Sequence, residues 1–207
     1  MKRTSRVLIL GPIGVGKSKF CNFIRKDLKN SINKVSYSLD SSTDNFNLNA
    51  FTRNKIDFEF IDSPGFSEES YKIDYFKKLI NYLKSLESLD YILLMFNFGE
   101  RIRMDVRNYI EFLGKIFNKK DLSNHLNVVF TRKELFKNEI NKILKGLFNI
   151  KVYNDFKVYF IDTEIPEEED EDEDYIIYQE IVDGLLKQIK EDADKFNSID
   201  TKDINLY

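Results

Sequence analysis

Apolar residues in this chain fall into two recurring patterns, short unbroken runs and stripes at three- and four-residue spacing, and the two alternate along most of its length. The runs are Val7 to Leu10, Tyr91 to Phe96, Leu126 to Phe130 and Phe156 to Ile161. Such runs mark strands buried on both faces of a parallel sheet. The stripes run through Phe20, Phe23, Ile24 and Leu28 in Lys17 to Asn30, and through Phe76, Leu79, Ile80 and Leu83 in Tyr71 to Leu86; Arg103 to Phe117 and Asn138 to Leu147 continue the series. Each predicts a helix laid on the sheet. Phe46 to Arg53 and Lys55 to Ile61 alternate as strands with a turn at Asn54, whereas Ser31 to Asn45 is polar and aperiodic and reads as a loop. Strands alternating with helices predict an α/β fold: a doubly wound, mainly parallel sheet with helices on both faces.

Beyond the last run, Glu167 to Asp174 is unbroken acid and reads as a solvated connector. Tyr175 to Phe196 then spaces Ile177, Ile181, Leu185, Ile189 and Asp192 along one side, predicting an amphipathic helix that docks on its own domain. The expected organisation is a core domain over 1–165, an acidic linker over 166–175, and a terminal helix and tail over 176–207.

Composition narrows the options. A net charge of -3 offers no basic excess for a nucleic-acid backbone or an anionic membrane surface, so nucleic acid is not an expected partner. Cys21 is the only cysteine, which rules out an intramolecular disulfide and a cysteine metal cluster and fits a reducing, cytoplasmic setting. No apolar run reaches the length that spans a bilayer, Asp203 to Tyr207 carries no prenylation cysteine, and no glycine follows Met1 for myristoylation. Any peripheral membrane contact is expected to pass through partners.

The chemistry begins after the first run. Gly11 to Ser18 fits G-x-x-x-x-G-K-S/T in full, between a predicted strand and a predicted helix. Glycines at 11, 14 and 16 let the backbone close around a polyphosphate, and the amides of Gly14, Val15, Gly16, Lys17 and Ser18 can converge on it. Lys17 supplies a compact cation for the β- and γ-phosphates, the helix N-terminus adds its dipole, and the Ser18 hydroxyl is a Mg²⁺ ligand.

Asp62-Ser63-Pro64-Gly65 follows a predicted strand with the D-x-x-G spacing of GTPases. Asp62 is expected to hold Mg²⁺, usually through water, and the Gly65 amide to meet the γ-phosphate. A hydroxyl from the polar loop is expected to complete the metal shell in the triphosphate state. Thr43 is the first candidate, with Ser42 and Ser41 beside it.

Thr131-Arg132-Lys133-Glu134 leaves the third run where GTPases read guanine. The Glu134 carboxylate can pair with the ring N–H and exocyclic amine of guanine, which adenine does not present, while Arg132 or Lys133 covers the base. Two frames are open, because Arg132-Lys133-Glu134-Leu135 also fits and would remove the base-reading acid; Asp162 or Thr163 takes the neighbourhood of a later base contact.

Phe130 to Leu135 resembles the Phe-Thr-Arg-Lys stretch of the immunity-associated GTPases known as GIMAP or IAN. Phe60 to Phe66 is similar to their Asp-Thr-Pro-Gly segment, and Phe98 to Arg101 with Asp105 loosely to the box before their next helix. The resemblance runs from about Val7 to Phe160. It implies a P-loop G domain that binds GTP and GDP with Mg²⁺, hydrolyses slowly, and forms nucleotide-dependent homodimers.

No glutamine follows Gly65, so no catalytic residue is assigned; Ser67, Glu68 and Glu69 read as a helix start, with the orienting of a water as their alternative role. His125 is expected on the surface ahead of a strand, and Cys21 as a small buried hydrophobe. The primary expectation is a GTP/GDP switch that self-associates with GTP bound. An ATP-using P-loop enzyme and a non-hydrolysing nucleotide-binding scaffold are the alternatives.

Overall fold

A computed structural model describes residues 4–26, 45–66, 73–97, 102–117, 119–131, 157–161, 173–202 and 204. The first apolar run forms β1 (Ser5–Leu10), and its alternation decides how the layers assemble. Val7 and Ile9 pack in one buried cluster, Leu8 and Leu10 in another on the opposite face. The central strand β5 (Tyr91–Asn97) repeats this, with Tyr91, Leu93 and Met95 against Ile92, Leu94 and Phe96.

With β2 (Asn47–Arg53), β3 (Ile56–Asp62), β6 (Leu126–Thr131) and β7 (Lys157–Ile161), these strands form a six-stranded sheet in the order β2-β3-β1-β5-β6-β7. All neighbours run parallel except β2, which is antiparallel to β3. Asn54 (φ 51°) and Lys55 (φ 64°) are both left-handed between β2 and β3. That is the signature of a two-residue turn whose twist matches the flanking strands, so the turn expected at Asn54 is present and includes Lys55.

Helices α1 (Lys17–Lys26), α2 (Ile73–Ser85) and α3 (Ile102–Ile116) fall where the stripes placed them, within the described residues. Leu79 and Leu83 of α2 and Ile110 and Leu113 of α3 cover the Leu8 and Leu94 face. Phe20 and Ile24 of α1 cover the Val7 and Leu93 face, with Cys21 buried beside them. The expected doubly wound α/β architecture is therefore realised. The helix expected over Asn138 to Leu147 and the linker boundary at 165 lie outside the described residues, whereas the boundary expected at 175 falls inside the terminal helix, which already runs from Glu173.

Three short elements escape the periodicity: β4 (Ser88–Leu89), α4 (Lys119–His125), and β8 (Ile199–Asp200), which pairs antiparallel with β4. They account for one correction. His125, expected on the surface, is 2 % exposed, with Nδ1 2.7 Å from the Asp90 carbonyl and its ring against Phe196. The burial follows from α4 ending beside Asp90, just ahead of β5, while the C-terminal segment folds over it. Ser198 donates to Asp90 at 2.6 Å and Thr201 to the Leu86 carbonyl at 2.6 Å, fastening that segment.

The terminal helix α5 (Glu173–Lys195) starts slightly ahead of its expected position. Val182, Leu185, Leu186 and Ile189 are buried against the α1 face of the sheet, so α5 docks on its own domain as expected. Asp192 on the same stripe is buried too. It accepts hydrogen bonds from Tyr91 Oη and Gln188 Nε2, each at 3.0 Å, which satisfies its carboxylate away from water. Burial and the adjacent Asp192 charge raise the Tyr91 pKa.

Candidate functional site

Parallel pairing sets the site. Ile9 lies opposite Asp62 in the β1–β3 register, so the carboxylate at the end of β3 arrives beside the loop that leaves β1. A Cβ on Gly11 would sit 2.4 Å from the Met95 carbonyl oxygen, so the loop begins where a side chain cannot fit. Gly14 (φ 75°) and Gly16 (φ 95°) take left-handed turns that glycine adopts without steric cost. Between them the Val15 side chain, 1 % exposed, plugs into the core and fixes the loop from beneath.

The Lys17 ammonium folds back over this loop, donating to the carbonyls of Gly11 and Pro12 at 2.9 Å each. Burial lowers its pKa to about 8 against the attraction of Asp62. Ser18 Oγ donates to Asp62 Oδ2 at 2.7 Å. Asp62 is 3 % exposed, and its other oxygen, Oδ1, is buried with no hydrogen-bond partner among the described residues. Burial raises the Asp62 pKa, opposed by the Ser18 hydrogen bond and then by Lys17. A buried carboxylate oxygen without a donor is costly, and a cation would relieve it. The donor set, one hydroxyl and one carboxylate near an ammonium, suits a hard divalent cation that takes its other ligands from phosphate and water. Among the described residues no group of three or more His, Cys, Asp or Glu could hold a metal unaided.

The segment after Asp62 runs back along the loop. Ser63 N–H donates to the Ile9 carbonyl at 3.3 Å, Phe66 N–H to Gly11 at 3.3 Å, and Ile13 N–H to Phe66 at 3.1 Å. Tyr75 Oη donates to the Pro64 carbonyl at 3.3 Å from the other side. A Cβ on Gly65 would fall 2.7 Å from Ile13 Cα and 2.9 Å from Ile13 N, so this glycine is in backbone contact with the loop. The sequence reading had no role for Phe66 or Ile13. The signal was an aromatic residue inserted in an otherwise polar stretch.

Gly11, Gly14, Val15, Gly16, Lys17, Ser18, Asp62 and Gly65 are thus assembled at one end of the sheet. Thr131, named with the base-reading residues, is fully buried, its hydroxyl 2.9 Å from the Val15 carbonyl and 2.9 Å from Asn97 Oδ1. It braces β6 against the phosphate loop. Thr43, Ser42, Arg132, Lys133 and Glu134 lie outside the described residues, as do Ser41, Ser67, Glu68, Glu69, Asp162 and Thr163.

The AIG1 family model matches residues 5–148. The chain belongs to the AIG1 family. This is the family of the immunity-associated GTPases that its motifs resemble, and membership places the chain among GTP-binding GTPases. Helix α5 lies beyond the matched segment of this AIG1-family chain. A search of curated proteins finds no match. Among solved structures the chain is similar to Toc33 from Arabidopsis thaliana in complex with GDP and Mg²⁺, with a TM-score of 0.66 and 17 % identity over 96 % of this chain and 88 % of that one. A second structure, from work showing that dimerization is important for the GTPase activity of the chloroplast translocon components atToc33 and psToc159, gives the same TM-score of 0.66 and 17 % identity over 96 % and 86 %. At that identity the likeness shows the fold. No helix among the described residues is long and apolar enough to cross a membrane.

Proposed function

We propose that this chain is a GTP/GDP switch that holds guanine nucleotide and Mg²⁺ in the Gly11 to Ser18 cradle, hydrolyses GTP slowly, and self-associates as a homodimer with GTP bound. The observation that carries the reading is the Asp62 carboxylate, buried at the loop with Ser18 on one oxygen and no hydrogen-bond partner on the other among the described residues. Ser18 and Asp62 would hold Mg²⁺, with Thr43 or Ser42 joining in the triphosphate state; the metal supplies charge neutralisation at the phosphates. Lys17 is held over the loop by two carbonyls, already stripped of most water, so its charge meets a phosphate at little further desolvation cost.

Slow turnover follows from the residue after Gly65. Phe66 carries no polar atom on its side chain and is 4 % exposed, so it cannot orient a water. Hydrolysis then draws on another group, with Ser67, Glu68 or Glu69 of this chain or a residue of a partner copy as the sources. The Toc33 complex with GDP and Mg²⁺, and the reported weight of dimerization for atToc33 and psToc159, support both parts of the reading. Arg132, Lys133 and Glu134 are the residues assigned to the base. A cytosolic location, with any membrane contact made through partners, completes the proposal.

The test is a titration of GDP, a non-hydrolysable GTP analogue and ATP with and without Mg²⁺, with molecular mass followed in each state. Guanine-selective, Mg²⁺-dependent binding and a mass increase with the GTP analogue are expected. Selective ATP binding ends the GTPase reading, and an unchanged monomer at high concentration ends the dimer.

A further inference from the structure

We propose that Phe66 is a positioning residue that fixes the Gly65 amide against the phosphate loop and so sets the preference for a triphosphate over a diphosphate. The inference rests on the nucleotide reading given above. Gly65 lies between residues tied to the loop by their backbones: Ser63 N–H on the Ile9 carbonyl at 3.3 Å, and Phe66 bonded through N–H to Gly11 at 3.3 Å and through its carbonyl to Ile13 at 3.1 Å. Gly65 N–H itself has no backbone partner among the described residues. One donor is therefore left over in a segment whose neighbours are all engaged.

What holds that segment is the ring of Phe66. It stacks on Tyr109 with centroids 3.6 Å apart and planes 20° apart, and meets Tyr75 edge-on at 6.1 Å and Phe96 at 6.4 Å. These rings belong to α3, α2 and β5, so core packing holds the segment that carries Gly65. The fit is close enough that a Cβ on Gly65 would lie 2.6 Å from Ile13 Cγ1. Fixing a donor before the ligand arrives removes the ordering cost from binding. A terminal phosphate gains from that; a diphosphate, which stops at the β-phosphate, does not.

The experiment compares the affinities of wild type, Phe66→Ala, Phe66→Leu and Tyr109→Leu for GDP and for a non-hydrolysable GTP analogue in Mg²⁺, with circular dichroism as the control for folding. One hydrogen bond to a charged oxygen corresponds to about a tenfold or greater change in affinity. Phe66→Ala is expected to lose about that much for the GTP analogue while GDP affinity stays within about twofold. Phe66→Leu, which keeps apolar bulk in the slot, is expected to recover most of the loss. Should Phe66→Ala fail to fold, Tyr109→Leu removes the stacked ring without touching the segment and is expected to show the same selective loss. An equal loss for both nucleotides, or an unchanged ratio, overturns the positioning role. Wild-type protein that binds neither nucleotide overturns the proposed function itself, a result distinct from either.

Discussion

Ser18 Oγ and Asp62 Oδ2 stand 2.7 Å apart, joining the first turn of α1 to the last residue of β3. The pair spans the two segments that a chelated phosphate would touch. Replacing Asp62 with Ala is expected to abolish the Mg²⁺ dependence of GTP-analogue affinity, which in wild type should amount to about tenfold or more, as charge-assisted contacts do. Titrations in Mg²⁺ and in EDTA read this directly. An Asp62→Ala protein that keeps the full metal dependence would remove Asp62 from the site.

Lys17→Ala separates binding from folding. Burial holds the Lys17 pKa down at about 8, which means that the fold bears a cost for keeping this ammonium out of water. Losing it is expected to lower GDP affinity by about ten- to a hundredfold, the size of one charged hydrogen bond, while leaving the melting temperature of the nucleotide-free protein unchanged or higher. A fluorescent-GDP titration paired with a thermal melt checks both halves.

Gly11→Ala addresses the base of the loop. The added methyl would lie 2.4 Å from the Met95 carbonyl and 3.0 Å from Val15 Cγ1, and the Met95 backbone cannot yield without disturbing the centre of the sheet. Overpacking of this kind costs about 1–3 kcal/mol. The urea midpoint should fall accordingly, and an unchanged midpoint would show that the loop relaxes freely.

Leu185→Ala tests whether α5 is integral to the domain. Leu185 is fully buried beside Val7 and Ile9. Truncating it is expected to cost about 2–5 kcal/mol. Lys187→Ala on the same helix, with a side chain 77 % exposed, should stay within about 0.5 kcal/mol. Comparable losses for the two would mean that α5 contributes no core packing.

Tyr75 sets an alkaline limit. Burial pushes its pKa from the usual 10.0 up to about 12. The protonated phenol is the form the fold accepts, so its contribution is complete below pH 10 and is lost as pH climbs from 10 towards 12, where the unfolded chain ionises first. That contribution is on the order of 2 kcal/mol. Tyr75→Phe should therefore lose less stability than wild type between about pH 10 and about pH 12 in urea unfolding. Parallel losses in the two proteins would assign the alkaline response to other groups, of which Tyr91 and Tyr159 shift in the same direction.

The long elements were legible because burial on both faces of a sheet leaves a plain mark: Tyr91 to Phe96 is apolar at every position, and so is a strand with helices above and below. The eight-residue phosphate motif was equally legible, since glycine geometry is local. What escaped was tertiary. Nothing near His125 in sequence announces that Asp90 and Phe196 will close over it. Thr131 stands where GTPases read guanine, and nothing in the sequence tells that its hydroxyl also meets the carbonyl of a loop residue 116 positions away. Phe66 had no role in the sequence, because its stacking partner Tyr109 lies on a helix 43 positions further along the chain.

The Thr131 hydroxyl has one proton and three acceptors within reach: the Val15 carbonyl at 2.9 Å, Asn97 Oδ1 at 2.9 Å and the Phe96 carbonyl at 3.4 Å. That one proton serves one acceptor at a time, so the hydroxyl sits where the loop after β1 meets the ends of β5 and β6. A ligand that lifted the glycine turn would pull on the exit of β6 through this contact, so the seats of a phosphate chain and of a purine ring would be coupled. Affinity for the two ends of such a ligand would then be inseparable by design, and a hydroxyl-to-methyl exchange at that position is the smallest change that would let them drift apart.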